Sequence, residues 1–400
     1  MHRGGSQRNT TIRSMSSPGS VPNSPFAPSV AALVAWSTFV VLRIWQIGQG
    51  DVGAFVVAGT DWTDASSGLP LADGPGYDGQ FFHRLAVDPF AVAERVAGTL
   101  LDSPVRYNRI GYPLVSRLFM FAGLPAEWAL VVVNLVAVAV LGAIGGAMAR
   151  RAGQHAMWGL VLPLYFGFAF SIARDLAEVV AAAAFIAGLW AAHRHRYALA
   201  AASLSLAVIS RETIVVAVFA IGVVDLVKLI ARRRGLEPRD AVWIAPAMVV
   251  LTWQIAARDR WGATPLLAGD AGRVRPPGAA LVEQLPQLFD PSWIGDGWLR
   301  ALHAVEVTVL LGVVAWALVR SRRVDAGSPL VPALIGLTVS ALIIDVPEGI
   351  WLDRNDLRMF ADLYVVAMAV LLLTRVRLVV PAAAVGLCTA LAGLSFLAGA

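Results

Sequence analysis

The feature that most constrains this chain is a series of long apolar runs that carry almost no charge. They lie near residues 29–48, 126–149, 156–172, 175–192, 197–211, 213–231, 241–257, 299–319, 329–345, 358–374 and 378–398. Crossing a ~30 Å hydrocarbon core takes a helix of about 20 apolar residues, and inside lipid only helices and closed barrels satisfy their own backbone polar groups. Charged residues make up 15% of the chain and hydrophobic ones 58%, whereas a soluble domain carries about 25% charged residues. The expected fold class is an all-α polytopic membrane protein with about 11 transmembrane helices. Residues 1–28 are rich in Ser, Gly, Pro and Arg without apolar periodicity and read as a disordered tail. Residues 29–400 then form a single transmembrane domain, whose first run is long enough to remain as an anchor.

Arginine placement sets the expected orientation, because short basic loops stay on the cytoplasmic side. With the N-terminus cytoplasmic, that side holds Arg150–Arg151, Arg194 and Arg196, Arg232–Arg234, Arg320 with Arg322–Arg323, and Arg375 with Arg377, together with Arg3, Arg8 and Arg13 of the tail. The opposite side receives two long loops, 49–125 and 258–298, and most of the acids. Residues 110–123 contain Pro113 and Arg117 and are too short to cross, so an amphipathic helix along the outer interface is expected there. The run 197–211 spans roughly 22 Å at 1.5 Å per residue, which places Arg211-Glu212 below the outer surface, facing a wet cavity.

Several function classes are excluded or disfavoured at this point. The net charge of +5 is spread over loops on one membrane face rather than over one soluble surface, which argues against a nucleic-acid partner. Cys388 is the only cysteine, so an intramolecular disulfide and cysteine-based zinc sites are impossible. Lys228 is the only lysine, and this preference for arginine points to a GC-rich bacterial genome and so to a bacterial cytoplasmic membrane. No Gly-rich phosphate-binding loop is present.

The densest polar segment is Gly76-Tyr77-Asp78-Gly79-Gln80-Phe81-Phe82-His83-Arg84-Leu85-Ala86-Val87-Asp88-Pro89-Phe90, in the first outer loop. The topology gathers further polar groups on the same side: Arg106 and Arg109, Arg174-Asp175 with Glu178, Arg211-Glu212, and the run Asp353 to Arg358. The four-residue spacings of Arg174 to Glu178 and of Arg354 to Arg358 place each pair on one face of a helix. Arginines suit phosphate oxygens, and a carboxylate suits removal of a proton from an attacking hydroxyl. Other polar residues have simpler expectations. Arg43 snorkels to the outer interface; the His193-Arg194-His195-Arg196 run is a topogenic turn; His83 alone is poor support for a metal site. Trp45, Trp62, Trp128, Trp261, Trp293, Trp298 and Trp351 form an interfacial aromatic belt. Glu306, inside a span, should face a cavity or a partner.

Tyr77-Asp78-Gly79-Gln80-Phe81-Phe82, then Ala86-Val87-Asp88-Pro89, then Arg106-Tyr107-Asn108-Arg109-Ile110-Gly111-Tyr112-Pro113-Leu114, resembles the first outer loop of the GT-C superfamily. These are membrane glycosyltransferases that use polyprenyl-phosphate sugars, and the likeness is closest to bacterial cell-surface glycopolymer formation proteins with a Tyr-Asp-Gly-Gln loop. It covers about 40 residues. Tyr77 stands where tryptophan is usual, and no adjacent acid pair follows the first span. The resemblance implies a GT-C-like fold, an early loop acid acting as base, and a long later loop, here 258–298, closing over the donor.

The expected function is transfer of a sugar from a polyprenyl-phosphate donor to a cell-envelope glycan or lipid acceptor on the extracytoplasmic face. Asp78 is the expected base, with Asp88 as second candidate. Arg354, Arg358, Arg211, Arg109 and Arg106 are the expected donor-phosphate ligands, and Tyr77, Gln80, His83, Arg174 and Glu178 the substrate contacts. No metal ligands are assigned and no cofactor is required, because arginine alone can stabilise a leaving phosphate, although a divalent metal is compatible. Membrane lipids are the remaining expected partners. The alternatives are a flippase or transporter of lipid-linked saccharides and a non-catalytic scaffold in glycopolymer assembly.

Overall fold

A computed structural model describes residues 23–233, 235–268, 273–290, 297–325, 327–346 and 349–398. The expected tail falls largely outside this set, as do Arg3, Arg8, Arg13 and Trp293. About 71% of the molecule is helical. The helices are α1 (Ala27–Gln46), α2 (Gly79–Val87), α3 (Gly111–Phe121), α4 (Ala126–Arg151), α5 (Gly167–Ala173), α6 (Glu178–His193), α7 (Tyr197–Ser210) and α8 (Ile214–Ala231). They continue with α9 (Ala241–Trp261), α10 (Pro265–Ala268), α11 (Ala279–Leu288), α12 (Trp298–Ser321), α13 (Leu330–Ile343), α14 (Ala361–Leu373) and α15 (Val379–Leu397). Among the described residues, paired strands are two residues long: Ala58–Gly59 parallel with Leu71–Ala72, and two antiparallel pairs, Arg95–Val96 with Thr99–Leu100 and Arg273–Val274 with Ile344–Asp345, beside an isolated bridge between Thr63 and Thr99.

Among the described residues, six helical segments are long and apolar enough to cross a membrane: α1, α4, α8, α12, α15 and the segment Pro238–Trp261 that contains α9. Helices α6, α7 and α13 are apolar but shorter. For α6 the shortness has a packing counterpart, shared with α14. Nearly every side chain of α6 and α14 is buried by neighbouring helices. The outer helices present apolar side chains to the surroundings, including Phe219, Val227, Ile255, Val319 and Val380. Exposed apolar surface spread over several long helices belongs in lipid. The molecule is an all-helical membrane protein.

Four expectations change. The run 156–172 is not one helix: a 3₁₀ turn at Ala156–Val161 ends before Pro163, and α5 starts only at Gly167. Proline lacks the N–H that a continuing helix needs. Arg174 and Glu178 do not share a helix either, because α5 ends at Ala173, Asp175 has φ of +50°, and α6 begins at Glu178. Arg43 does not snorkel. It is buried and donates to Ala173 O at 3.2 Å and Phe396 O at 3.0 Å, which lie at the C-terminal ends of α5 and α15, so it caps two helices at once. Trp351 is no belt residue: it is 1% exposed and stacks on Phe360 at 4.4 Å.

The expected helix at 110–123 forms as α3, with Leu118 and Phe121 exposed. Arg117 reaches back to the carbonyls of Ala86 and Val87 at the end of α2. The loop 258–298 is tied down as well. Gln284 of α11 donates to Asp345 and accepts from Trp351 N, and Arg275 bridges Asp345 and Glu283.

Candidate active site

The site is built where α2 begins. Gly79 is required by close packing rather than by its dihedral angles: a Cβ there would lie 2.5 Å from Arg174 O and 2.6 Å from Val56 O. Gln80 follows, fully buried. Its Oε1 accepts from Gly59 N at 3.1 Å and Thr63 Oγ1 at 2.8 Å, and its Nε2 donates to Pro75 O at 2.8 Å. The Gly-Gln pair therefore pins the loop to α2 and fixes Asp78 at the N-cap. An N-cap aspartate normally accepts from the helix's own N–H groups. Asp78 makes no such bond, and its carboxylate turns to arginines instead.

Three arginines from two elements meet it. Arg106 Nη1 donates to Asp78 Oδ1 at 2.7 Å, Arg109 Nη1 lies 3.4 Å from Oδ2, and Arg358 Nη2 lies 3.6 Å from Oδ2. The first two share a 3₁₀ helix, Pro104–Arg109, whose start is capped by Ser103 Oγ accepting from Val105 N. Three residues per turn make positions i and i+3 eclipse, so both arginines project toward Asp78. The helix α9 braces this segment: Trp253 donates to Tyr107 O at 2.8 Å, and Trp261 stacks on Tyr107 at 3.8 Å.

Each arginine is anchored at its far edge by a second acid. Arg106 is held bidentately by Asp102 at 2.9 and 2.6 Å, and Arg109 by Glu212 at 3.0 and 2.7 Å. Arg358 Nη1 meets Glu178 at 2.7 Å. Charge-assisted bonds are strongest near 2.7–2.9 Å, so Arg109 and Arg358 hold their anchors tightly and Asp78 loosely. Burial opposes ionisation of Asp78, but Arg106, Arg358 and Arg109 outweigh it and hold its carboxyl below the ordinary range. Glu212 is likewise buried, yet Arg109 brings it down to about 2. The side chains of Asp78, Arg106, Arg109 and Glu212 keep 16–27% exposure, so the cluster is wetted from one side.

Aromatic rings line the same place. The Arg174 guanidinium lies 4.2 Å over the Tyr77 ring and Arg358 lies 5.3 Å from it, while Arg106 sits 4.5 Å over Phe81. Arg174 also donates to Asn355 Oδ1 at 2.5 Å. Thus Tyr77, Asp78, Arg106, Arg109, Arg174, Glu178 and Arg358 assemble, although they span most of the chain.

The other expected site residues lie elsewhere or serve the scaffold. Asp88 is exposed at the opposite end of α2, about 15 Å along the helix from Asp78 at 1.5 Å per residue, and accepts only from Phe90 N. His83 is buried, with Nε2 3.0 Å from Glu127 of α4. Gln80 is saturated as described. Arg354 does not share a face with Arg358, because the segment Arg354–Phe360 is a 3₁₀ helix in which i and i+4 diverge. Arg354 grips Glu306 bidentately at 2.9 and 3.1 Å, so the intramembrane acid has its partner there. Arg211 is 2% exposed and lies behind the site, donating to Arg358 O at 3.1 Å and facing Asp362 at 3.4 Å.

Reasoning from sequence placed Glu212 among the converging polar groups without giving it a role, and did not single out Asp102 or Asp362. The four-residue spacing from Asp102 to Arg106 was a usable signal; Asp362, which faces Arg211, has no local one. Among the described residues, no group of three His, Cys, Asp or Glu side chains is arranged to hold a metal ion. No family model, curated protein or solved structure matches the chain.

Proposed function

We propose that this protein is a GT-C-type glycosyltransferase of a bacterial cytoplasmic membrane. It moves a sugar from a polyprenyl-phosphate donor to a cell-envelope glycan or lipid acceptor on the extracytoplasmic face. The observation that carries the reading is Asp78 held loosely by Arg109 and Arg358, each locked to a second acid at its other edge. The resemblance of the Tyr77–Phe82 loop supports it from the sequence side.

In this reading a donor phosphate competes with Asp78 for the near edges of Arg109 and Arg358. Their far edges stay fixed, so the phosphate is received by preorganised donors. Asp78 loses two of its three cationic neighbours as the donor binds, and its basicity rises where the acceptor hydroxyl must be deprotonated. The hydroxyl oxygen then bonds to the anomeric carbon, the bond from that carbon to the phosphate oxygen breaks, and polyprenyl phosphate leaves on the arginines. The hydroxyl proton passes to Asp78. Tyr77 and Phe81 hold Arg174 and Arg106 in place by their ring faces, and Arg211 positions Arg358 through its carbonyl.

The test is transfer of labelled sugar from a synthetic polyprenyl-phosphate donor by the purified protein in detergent, alongside movement of the donor between leaflets of liposomes. Transfer that depends on Asp78 supports the enzyme. Leaflet exchange without transfer would make it a flippase, and neither activity would leave a scaffold.

A further inference from the structure

At the ends of the helices remote from Asp78, α4 and α6 border a groove of about 760 Å³. Its two walls are built alike. On α4, Ile144 and Ala147 lead at helical spacing to Arg151; on α6, Ala187 and Ala191 lead to Arg194. Spacings of three, four and seven residues place each set on one helix face, and seven residues rise about 10 Å. The alanines are why a groove exists at all, since larger side chains would fill it. Arg150 and Arg196 join the rim, and no acidic side chain lines it among the described residues.

None of these four arginines forms an ion pair with a described residue, and all four are exposed. Helix C-termini favour arginine, which accounts for Arg150, Arg151 and Arg194 singly, whereas Arg196 is the N-cap of α7. It does not account for four cations without an ion pair, Arg194 lying 6.0 Å over the Trp190 ring, gathered at an apolar furrow. That arrangement matches a molecule with an anionic head and hydrocarbon chains.

We propose that this groove binds an anionic phospholipid, with the phosphate on Arg150, Arg151, Arg194 and Arg196 and an acyl chain along the alanine walls. Basic pockets between spans are the usual seat of acidic lipid headgroups. The site stands apart from Asp78 and does not depend on the transferase reading. Because α6 runs from Glu178 to this groove, an occupied groove braces the helix that anchors Arg358.

The test is thermal unfolding of the full-length protein in detergent with phosphatidylglycerol, phosphatidylcholine or inorganic phosphate added. Phosphatidylglycerol should raise Tm at concentrations where the other two have no effect. Arg151→Gln with Arg194→Gln should weaken that response at least about tenfold, the loss of roughly one charge-assisted contact or more. Ala147→Phe with Ala187→Phe keeps every arginine and fills the furrow, so it should abolish the response even if the arginine variant fails to insert. An equal shift from phosphatidylcholine or from phosphate alone would overturn the proposal. So would a phosphatidylglycerol response that survives filling of the groove.

Discussion

Arg109 grips Glu212 through two nitrogens at 2.7 and 3.0 Å and leaves its third 3.4 Å from Asp78. A guanidinium fixed on one edge and loosely engaged on the other is a prepared anion receptor, because its geometry is set before the anion arrives. Glu212→Gln should therefore lower transfer by roughly 10²-fold, as misplacement of a positioning group by about 1 Å does. The loss should appear first as a higher KM for the donor. A KM unchanged from wild type, measured with the synthetic donor, would show that Arg109 does not receive the phosphate.

Asp78→Asn should cut turnover by about 10²–10⁴-fold while the fold and donor binding persist, with some loss of Tm because three arginines lose their shared carboxylate. Asp88→Asn should leave transfer unchanged, because that carboxylate lies at the far end of α2. Steady-state rates of the two variants side by side decide between them.

The pH dependence follows from the arginine cage. Asp78 is held below its ordinary value in the free protein. A depressed carboxylate contributes stability above its unfolded pKa, near 3.9, and loses it as pH falls through the folded value. The acid limb of kcat/KM, which reports the free enzyme, should thus lie below about pH 4. The limb of kcat should lie higher, because bound phosphate has drawn the arginines away. Coincident limbs in full pH profiles would count against displacement of Asp78 by the donor.

Gly79→Ala should destabilise the protein by about 1–3 kcal/mol, the usual cost of overpacking, since the new methyl meets the carbonyls of Val56 and Arg174. Chemical denaturation or Tm reads this directly. Retained stability would mean that the start of α2 shifts freely, and Asp78 would then lack a fixed position.

For topology, a cysteine placed at Ser66 in a Cys388→Ser background should react with a membrane-impermeant thiol reagent added to intact cells from outside. One placed at Ser321 should react only after lysis. The reverse pattern would put Asp78 on the cytoplasmic side and remove the donor from reach.

Much of the site was legible locally. Tyr77, Asp78, Arg106 and Arg109 stand out because polar residues are rare in so apolar a chain and need a reason. Gln80 and His83 looked alike for the same cause: from sequence, a side chain that satisfies buried backbone, as Gln80 does, or pairs with another helix, as His83 does with Glu127, looks like one that awaits a ligand. The pairing of Arg354 with Glu306 instead of phosphate turned on a backbone detail, 3₁₀ rather than α, which rotates position i+4 out of line.

The sequence by itself determined that the chain is helical and membrane-embedded, since long uncharged runs leave the backbone no other way to satisfy its hydrogen bonds. Only the tertiary structure decided which of its charges face one another. Asp78, Glu178, Glu212 and Arg358 lie on four separate segments, and no spacing rule links residues whose meeting depends on how buried helices pack. Packing also decided that α6 and α14 need not be long, because their neighbours, rather than lipid, cover their surfaces.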